Sequence, residues 1–179
     1  MEELNTLYIY IDSQDLTLHD KYIESVQKHN TQIESEYYNS GFDLFNPREI
    51  VIDEEDYSHT YKLDTQFKCA MFDKNNKPCS FYLYARSSIS NTYFRLANNV
   101  GIIDSNYRGN LLGVFDIIDP NKGYYSSDNF VRCISMDKYS RLLQICSGDL
   151  KPFKVRISDT LEDLGSTERG DSGFGSTGQ

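Results

Sequence analysis

The sequence predicts an all-β fold, either a barrel or a sandwich, with one short helix near the start of the chain. Apolar and polar residues alternate from Tyr61 to Met71, and this period of two turns every second side chain toward a core. Several short apolar runs follow, separated by turn-rich pieces such as PNKGYYSSD and SGDLKP. Many short strands with little helix favour a closed or two-layered β architecture.

The individual elements follow from local patterns. After the alternating run, DKNNKP breaks the strand and CSFYLYA resumes an apolar pattern, which is typical of a hairpin. Within residues 16–29, Leu18, Tyr22 and Val26 lie four apart, and this spacing predicts one short amphipathic helix. Further strands are predicted at the apolar runs VGIID, LLGVFDIID, NFVRCIS, RLLQIC and FKVRI.

Composition indicates one globular domain. The chain has 179 residues, of which 39% are hydrophobic and 13% aromatic, as in ordinary soluble proteins. It lacks a run of about 18 apolar residues that could span a bilayer, and its acidic start lacks the layout of a signal peptide. We expect a soluble intracellular protein with no membrane partner. The four cysteines lack CxxC spacing, so we expect reduced thiols and no zinc site.

The charge is unevenly distributed. Residues 1–60 hold 14 acidic side chains against 3 Lys or Arg, whereas residues 61–179 hold 13 against 15. A small anionic ligand bound by the later part would therefore meet little long-range repulsion. Because the sequence shows no basic stripe, we expect no direct nucleic-acid binding.

Five stretches place polar groups where a strand-rich fold would have plain turns or apolar residues. Each is weak alone, because an Asp in a turn or a Gln in a strand is common. The stretches are SGFDLFN with Asp43, YARSSIS with Arg86, Ser87 and Ser88, NNVGIIDSNYRGN with Asp104 and Tyr107, RLLQIC with Gln144, and the tail ERGDSGFGSTGQ.

Together and in this order, these stretches resemble the five motifs of the trimeric dUTP pyrophosphatases (dUTPases). The resemblance runs from Ser40 to Gly178, and the combination of GIIDSNYRG with RGDSGFGSTG is highly specific. It implies a dUTPase-like β-barrel of the β-clip or jelly-roll type, a homotrimer, and Mg²⁺-dependent hydrolysis of dUTP to dUMP and pyrophosphate. We expect one domain at residues 1–157 with an insertion of unknown role at about 12–39, followed by a linker and flexible arm at 158–179.

The resemblance assigns the reacting end of the site to the third motif. Hydrolysis needs a positioned water and an acceptor for its proton, and the resemblance gives that role to Asp104. It also implies that Tyr107 packs on the deoxyribose and screens against ribonucleotides. Asn98 helps to build the uracil pocket in this interpretation, and Gly101 is among the substrate-binding residues.

The triphosphate is assigned to the first, second and fourth motifs. By resemblance, Arg86 and Ser87 hold the phosphates near the scissile bond, with Ser88 in support, and Gln144 contacts the α-phosphate. Asp43 is expected to hold Mg²⁺ through water. Magnesium suits this arrangement because it keeps several waters and bridges phosphate oxygens.

The tail is interpreted as an arm that closes over the nucleotide. Its four glycines leave backbone amides free for phosphate contacts. The linker SDTLEDLGSTE has about eleven residues and can extend to about 35 Å, and the resemblance implies that the arm closes a neighbouring subunit's pocket. The arm residues expected at the substrate, with Phe174 over the uracil ring, are Arg169, Phe174, Gly175, Ser176 and Thr177.

Two other functions are compatible with parts of this pattern. The dCTP deaminases share this fold and have similar motifs, but they rely on a glutamate after the third motif. This chain has no Glu between Glu55 and Glu162, which argues against deamination. The second alternative is a dUTPase-like protein that acts as a nucleotide-gated binding partner in regulation. The intact motifs favour hydrolysis but leave such a second role open.

Overall fold

The structure, a computed structural model, describes residues 4–57, 59–121 and 133–171. Within these ranges the chain forms thirteen strands and one α-helix, α1, at Leu16–Gln32. The prediction of a mostly β fold with a single helix is confirmed, and the helix is three residues longer than predicted. The strands are β1 Asn5–Ile11, β2 Gly41–Leu44, β3 Ile50–Asp53, β4 Thr60–Asp64, β5 Phe67–Phe72, β6 Pro78–Cys79, β7 Phe81–Ala85, β8 Phe94–Leu96, β9 Val100–Ile103, β10 Leu112–Ile117, β11 Cys133–Met136, β12 Leu143–Ser147 and β13 Phe153–Ile157.

The strands form four sheets in the described ranges. Their orders are β13-β1-β5-β6, β4-β10-β8, β11-β3 and β2-β12-β7-β9. Strand β1 is parallel to β13, with Leu7 beside Val155, and antiparallel to β5, with Leu7 opposite Met71. The start and the end of the domain are therefore joined in one sheet.

The helix belongs to the same hydrophobic core as the sheets. Leu18 and Tyr22 are fully buried, and Val26 is nearly so, as the spacing predicted. Burial raises the pKa of Tyr22, whose hydroxyl accepts a hydrogen bond from the Phe45 amide at 3.0 Å. Residues 12–39 thus supply part of the core, while their origin as an insertion stays a prediction. No helix in the described part of the chain is long and apolar enough to span a bilayer.

The helix also covers the edge of a sheet. Strand β13 lies at the edge next to β1. The Asn30 side-chain amide donates to the Val155 carbonyl at 2.8 Å, and the Val155 amide donates to Asn30 Oδ1 at 2.9 Å. His29 Nε2 donates to the Phe153 carbonyl at 2.9 Å. Asn30 therefore satisfies the backbone of β13 as a neighbouring strand would.

The alternating run near residue 65 is divided between two sheets. Its inward residues are buried as predicted, except Tyr61, which is half-buried, but β4 and β5 belong to different sheets. Gln66 separates them with a left-handed φ of 52°, and its amide donates to Asp64 Oδ1 at 2.8 Å. The predicted hairpin is confirmed only for the β5–β6 pair, because β7 joins another sheet.

Candidate active site

A cavity of about 280 Å³ lies beside β9 and the turn that follows it. It brings together five residues that the sequence predicted, four of which belong to the third motif. We call Asn98, Gly101, Asp104 and Tyr107 the cavity cluster. The apolar walls, which the sequence analysis did not assign, are Leu83, Leu96, Ile102, Ile103, Leu111 and Leu112, and the remaining lining residue is Arg169.

The backbone fixes the near wall of the cavity. Asn99 adopts a left-handed φ of 59°, and the Val100 amide donates to the Asn98 carbonyl at 2.6 Å, which leaves Asn98 exposed at the rim. In β9, Gly101 lies opposite Leu83 of β7. A Cβ at Gly101 would lie 3.1 Å from the Leu83 Cβ, so a larger residue would strain the packing between these strands.

Asp104 directly follows β9 and projects a carboxylate that remains 54% exposed. A rigid strand therefore positions an acceptor at the mouth of the cavity, where water can reach it. One carboxylate oxygen accepts a hydrogen bond from the Arg169 guanidinium of the same chain. The Tyr107 amide donates to the Asp104 carbonyl at 3.1 Å and closes the turn.

Tyr107 is held in one orientation at the cavity wall. Its hydroxyl donates to the Asn110 carbonyl at 2.8 Å, and burial raises its pKa. The Arg169 guanidinium lies 5.6 Å from the ring centroid. Gly109 leaves room for the ring, since a Cβ there would lie 2.5 Å from the Tyr107 hydroxyl.

A second group lies at the end of β7, and we call it the arginine cluster: Asp43, Arg86, Ser88, Arg141 and Gln144. Arg86 Nε donates to Asp43 Oδ1 at 2.7 Å, and Arg141 Nη1 donates to Asp43 Oδ2 at 3.1 Å. Arg86 Nη1 also donates to the Ser88 hydroxyl at 3.2 Å. One carboxylate thus orients two guanidinium groups, and the predicted Ser87 is exposed beside them.

Gln144 joins this cluster through strand register. It lies opposite Asp43 of β2 and Tyr84 of β7, and its side-chain amide donates to the Ala85 carbonyl at 3.2 Å. A Cβ at Gly41 would lie 2.2 Å from Gln144 Oε1, so the glycine makes room for this amide. Two neighbouring strands thereby fix the position of the Gln144 amide, while its predicted phosphate contact stays a prediction.

Asp104 and Arg86 lie at opposite ends of one sheet. In the antiparallel β7–β9 pair, Phe81 is opposite Ile103. Asp104 follows β9 at that end, while Arg86 follows β7 at the other end. Their offset of about six residues along the strands corresponds to about 20 Å. Within the described residues, one chain therefore does not bring Asp104 and Arg86 into a single pocket.

Comparison with known proteins decides the family. No protein-family model matches the chain. The chain is 32% identical over 143 residues to the deoxyuridine 5'-triphosphate nucleotidohydrolase of Fowlpox virus (strain NVSL), covering 79% of this chain and 84% of that relative. This chain belongs to the dUTPase family. The dUTPase of Desulfitobacterium hafniense (strain Y51) is 35% identical over 98 residues, covering 54% of this chain and 56% of that relative.

Solved dUTPase structures share the fold. A dUTPase of Staphylococcus bacteriophage 80alpha with dUpNHpp has a TM-score of 0.50 and 18% identity, covering 97% of this chain and 98% of that one. A dUTPase from phage phi11 of S. aureus has a TM-score of 0.50 and 16% identity, covering 78% of this chain and 87% of that one. The predicted dUTPase-like fold is confirmed.

The metal prediction rests on Asp43. Within the described ranges, no group of three or more His, Cys, Asp or Glu side chains could hold a metal ion. Both Asp43 oxygens already accept hydrogen bonds from arginines, although each carboxylate oxygen keeps a further lone pair. Asp43 therefore fits a contact to a metal ion through water, and it fits direct coordination poorly.

Two arginines near these clusters were missed from the sequence. Arg141 lies two residues before β12, and its place as the first residue of RLLQIC was the available signal. Arg108 lies within the third motif and is buried under the turn. The arm residues Phe174, Gly175, Ser176 and Thr177 lie outside the described residues, so their roles and the closure of a neighbour's pocket stay predictions.

Proposed function

We propose that this chain hydrolyses dUTP to dUMP and pyrophosphate with a water molecule that Asp104 activates. Membership of the dUTPase family supports the reaction, since the curated relatives it matches are named for it. The observation that carries the mechanism is the cavity in which Asp104 and Tyr107 face the same space. This activity limits uracil incorporation into DNA and supplies dUMP for dTMP synthesis.

The cavity cluster binds the uracil and the deoxyribose. The apolar walls suit the faces of the base, and the exposed Asn98 amide at the rim can pair with its polar edge. Tyr107 forms the side against which the sugar packs. The Tyr107 ring is held in place by its hydrogen bond to Asn110 and by the close approach of Gly109. A ribose 2′-hydroxyl would therefore clash with a ring that cannot move away.

The reaction is an in-line displacement at the α-phosphorus. The water oxygen forms a bond to phosphorus while Asp104 accepts the water's proton. The bond from phosphorus to the oxygen that bridges to the β-phosphate breaks, and its electron pair leaves on pyrophosphate. Positioned general bases contribute about 10²-fold to 10⁴-fold to such rates, and the remainder comes from orientation and charge stabilisation.

The arginine cluster binds the phosphates. Arg86 can donate to phosphate oxygens while Asp43 fixes its direction, and Ser87 and the Gln144 amide add neutral donors. Mg²⁺, when bound, would neutralise part of the phosphate charge, and Asp43 would hold it through water. The charge that develops on the leaving pyrophosphate is thus met by groups oriented before the reaction.

The distance between the clusters supports a homotrimer with shared sites. One α-phosphate cannot touch both the water beside Asp104 and the Gln144 amide of the same chain, because Gln144 lies two strands away from β9 and level with Val100, about 13 Å along the sheet from Asp104. A second copy must supply the arginine cluster. Such a head-to-tail contact uses different surfaces on the two copies and forms a closed ring when the rotation closes. A ring of three gives three equivalent sites.

The test is pyrophosphate release from dUTP, dTTP, dCTP and UTP, first with Mg²⁺ and then with chelator. We expect release from dUTP alone and only with the metal ion. Asp104→Asn should lower turnover by about 10²-fold or more, while Asp116→Asn, at an exposed carboxylate on β10, should not. If wild-type protein binds dUTP but releases no pyrophosphate, hydrolysis is refuted and the site is a nucleotide sensor.

Sharing of the site is tested by mixing inactive variants. Asp104→Asn and Arg86→Ala damage different clusters, so mixed trimers should regain activity at sites that combine the two intact clusters. Random mixing in equal amounts makes about a quarter of the sites competent. A protein that runs as a monomer and shows no recovery would contradict the shared site.

A further inference from the structure

We infer that Asp15 and Tyr139 are positioning residues, through which α1 holds Arg141 in place for the phosphates of the nucleotide. The segment between β1 and β2 thereby serves the active site as well as the core. The inference rests on the proposed function, in which the arginine cluster binds the phosphates. It concerns contacts within one chain and holds whichever copy of the chain supplies the rest of the pocket.

The Asp15 carboxylate joins the start of α1 to the turn at residues 137–140. Its Oδ1 accepts a hydrogen bond from the Thr17 amide at 3.0 Å and caps the helix. Its Oδ2 accepts from the Tyr139 hydroxyl at 2.8 Å and from Lys138 Nζ at 2.7 Å. The hydrogen bond from Lys138 lowers the pKa of Asp15 to about 2, so the carboxylate is ionised at neutral pH. One oxygen therefore serves the helix and the other serves the turn.

Tyr139 is held at this contact from several sides. It has a left-handed φ of 67°, a conformation that is unfavourable for a residue with a Cβ. Its amide donates to the Asn46 carbonyl at 2.8 Å. The amines of Lys21 and Lys138 lie 5.0 Å and 4.8 Å from the centroid of its ring. Such a conformation persists only where the surroundings fix it, and α1 supplies part of those surroundings through Asp15 and Lys21.

The turn leads directly to Arg141. The Asn46 amide donates to the Ser140 carbonyl at 2.8 Å, so the turn is also fastened to the chain after β2. Arg141 is the next residue, and its Nη1 donates to Asp43 Oδ2 at 3.1 Å. The Arg141 carbonyl accepts from Arg86 Nη1 at 3.3 Å. A shift of the turn would therefore move Arg141 and also change the direction of Arg86.

The helix supports the other side of the arginine cluster as well. Tyr22 is fully buried, and its hydroxyl accepts from the Phe45 amide at 3.0 Å. The two rings meet edge to face with centroids 5.1 Å apart. The Arg141 guanidinium lies 5.9 Å from the centroid of the Phe45 ring, and Asp43 lies two residues earlier in the chain. Helix α1 thus contacts the segments on both sides of the Asp43–Arg141 pair.

Asp15→Asn separates the helix cap from the contact with the turn. Asparagine caps a helix as well as aspartate does, but the amide nitrogen that replaces Oδ2 cannot accept from Tyr139 or Lys138. We expect the affinity for the dUTP analogue dUpNHpp to fall by about three-fold to ten-fold. The affinity for deoxyuridine, which has no phosphates, should not change. The control is Asp12→Asn, which breaks the 2.8 Å ion pair to Lys68 and should change neither affinity.

Tyr139→Phe keeps the ring and removes only the hydroxyl, so it tests the same contact if Asp15→Asn fails to fold. It should weaken dUpNHpp binding to a similar extent, and the double variant should be little weaker, because both changes break one hydrogen bond. In an Arg141→Ala background neither substitution should lower the affinity further. Equal losses in both backgrounds, or wild-type affinity in the folded variants, would overturn the inference.

Failure of this inference is distinguishable from failure of the proposed function. Wild-type hydrolysis of dUTP is measured first, and its absence refutes the proposed reaction directly. Active wild-type protein whose Asp15 and Tyr139 variants keep full affinity for dUpNHpp retains the proposed function and loses only the role of α1. Because the comparison of affinities needs no turnover, it decides that role even where hydrolysis is absent.

Discussion

Substitution of Gly109 by alanine should disturb nucleotide selection without touching a group that reacts. The added Cβ would lie 2.5 Å from the Tyr107 hydroxyl and 2.7 Å from its Cζ, about 0.9 Å short of ordinary contact for the nearer atom. The Asp171 carbonyl at 3.1 Å limits escape on the other side. The ring must therefore shift, and the 2.8 Å hydrogen bond to the Asn110 carbonyl is lost.

The expected loss in kcat/KM follows from the loss of that hydrogen bond. Loss of a partly buried hydrogen bond costs about 1 to 3 kcal/mol, which corresponds to about 5-fold to 150-fold in kcat/KM for dUTP. The ratio of kcat/KM for dUTP to that for UTP should fall, because the sugar wall is displaced. Gly148→Ala is the control, since the nearest atom to its added Cβ is the Ser80 carbonyl at 3.9 Å. A folded Gly109→Ala protein with unchanged selectivity and kcat/KM would refute the role given to Tyr107.

Three further changes probe the arginine cluster and the helix. Gly41→Ala should displace the Gln144 amide, whose Oε1 would lie 2.2 Å from the new Cβ, and lower kcat for dUTP by about ten-fold; unchanged kcat would contradict the phosphate contact. Burial lowers the pKa of His29 below its usual 6.5, so its neutral form is favoured by folding. The free energy of unfolding measured with urea should be highest above pH 6.5 and should fall in more acidic solution, by at most about 1.4 kcal/mol per pH unit. His29→Gln should remove that pH dependence. Asn30→Ala should lower the free energy of unfolding by about 1 to 3 kcal/mol, whereas Asn39→Ala, at an exposed site, should change it little.

The sequence predicted those elements whose patterns are local. The helix and β13 were found because spacing within a few residues reports burial directly. Strand β1 was missed, because its partners β5 and β13 lie far along the chain and the local pattern NTLYIYI does not indicate them. The break at Gln66 was also missed, because a left-handed glutamine bonded to Asp64 has no sequence signature as clear as glycine.

The site residues divide in the same way, into features set by local sequence and features set by strand pairing. The motif order predicted which side chains matter, and the structure places Asp104 and Tyr107 together as expected. The order could not predict that Arg86 lies about 20 Å away at the far end of the same sheet, because strand register decides that distance. Nor could it predict that the buried Arg108 side chain donates to the carbonyls of Leu164 and Tyr107, because backbone acceptors leave no trace in residue types.

The helix bears on how copies of this chain can meet. Both borders of the β13-β1-β5-β6 sheet are closed to strand addition. Asn30 occupies the backbone groups of Val155 on one side, and the other side is a two-residue strand that begins with Pro78, which has no amide proton to donate. A sheet sealed in this way cannot grow from one molecule into the next. In this sheet, contact between copies is thereby left to side chains rather than to backbone pairing, which works against uncontrolled fibre growth.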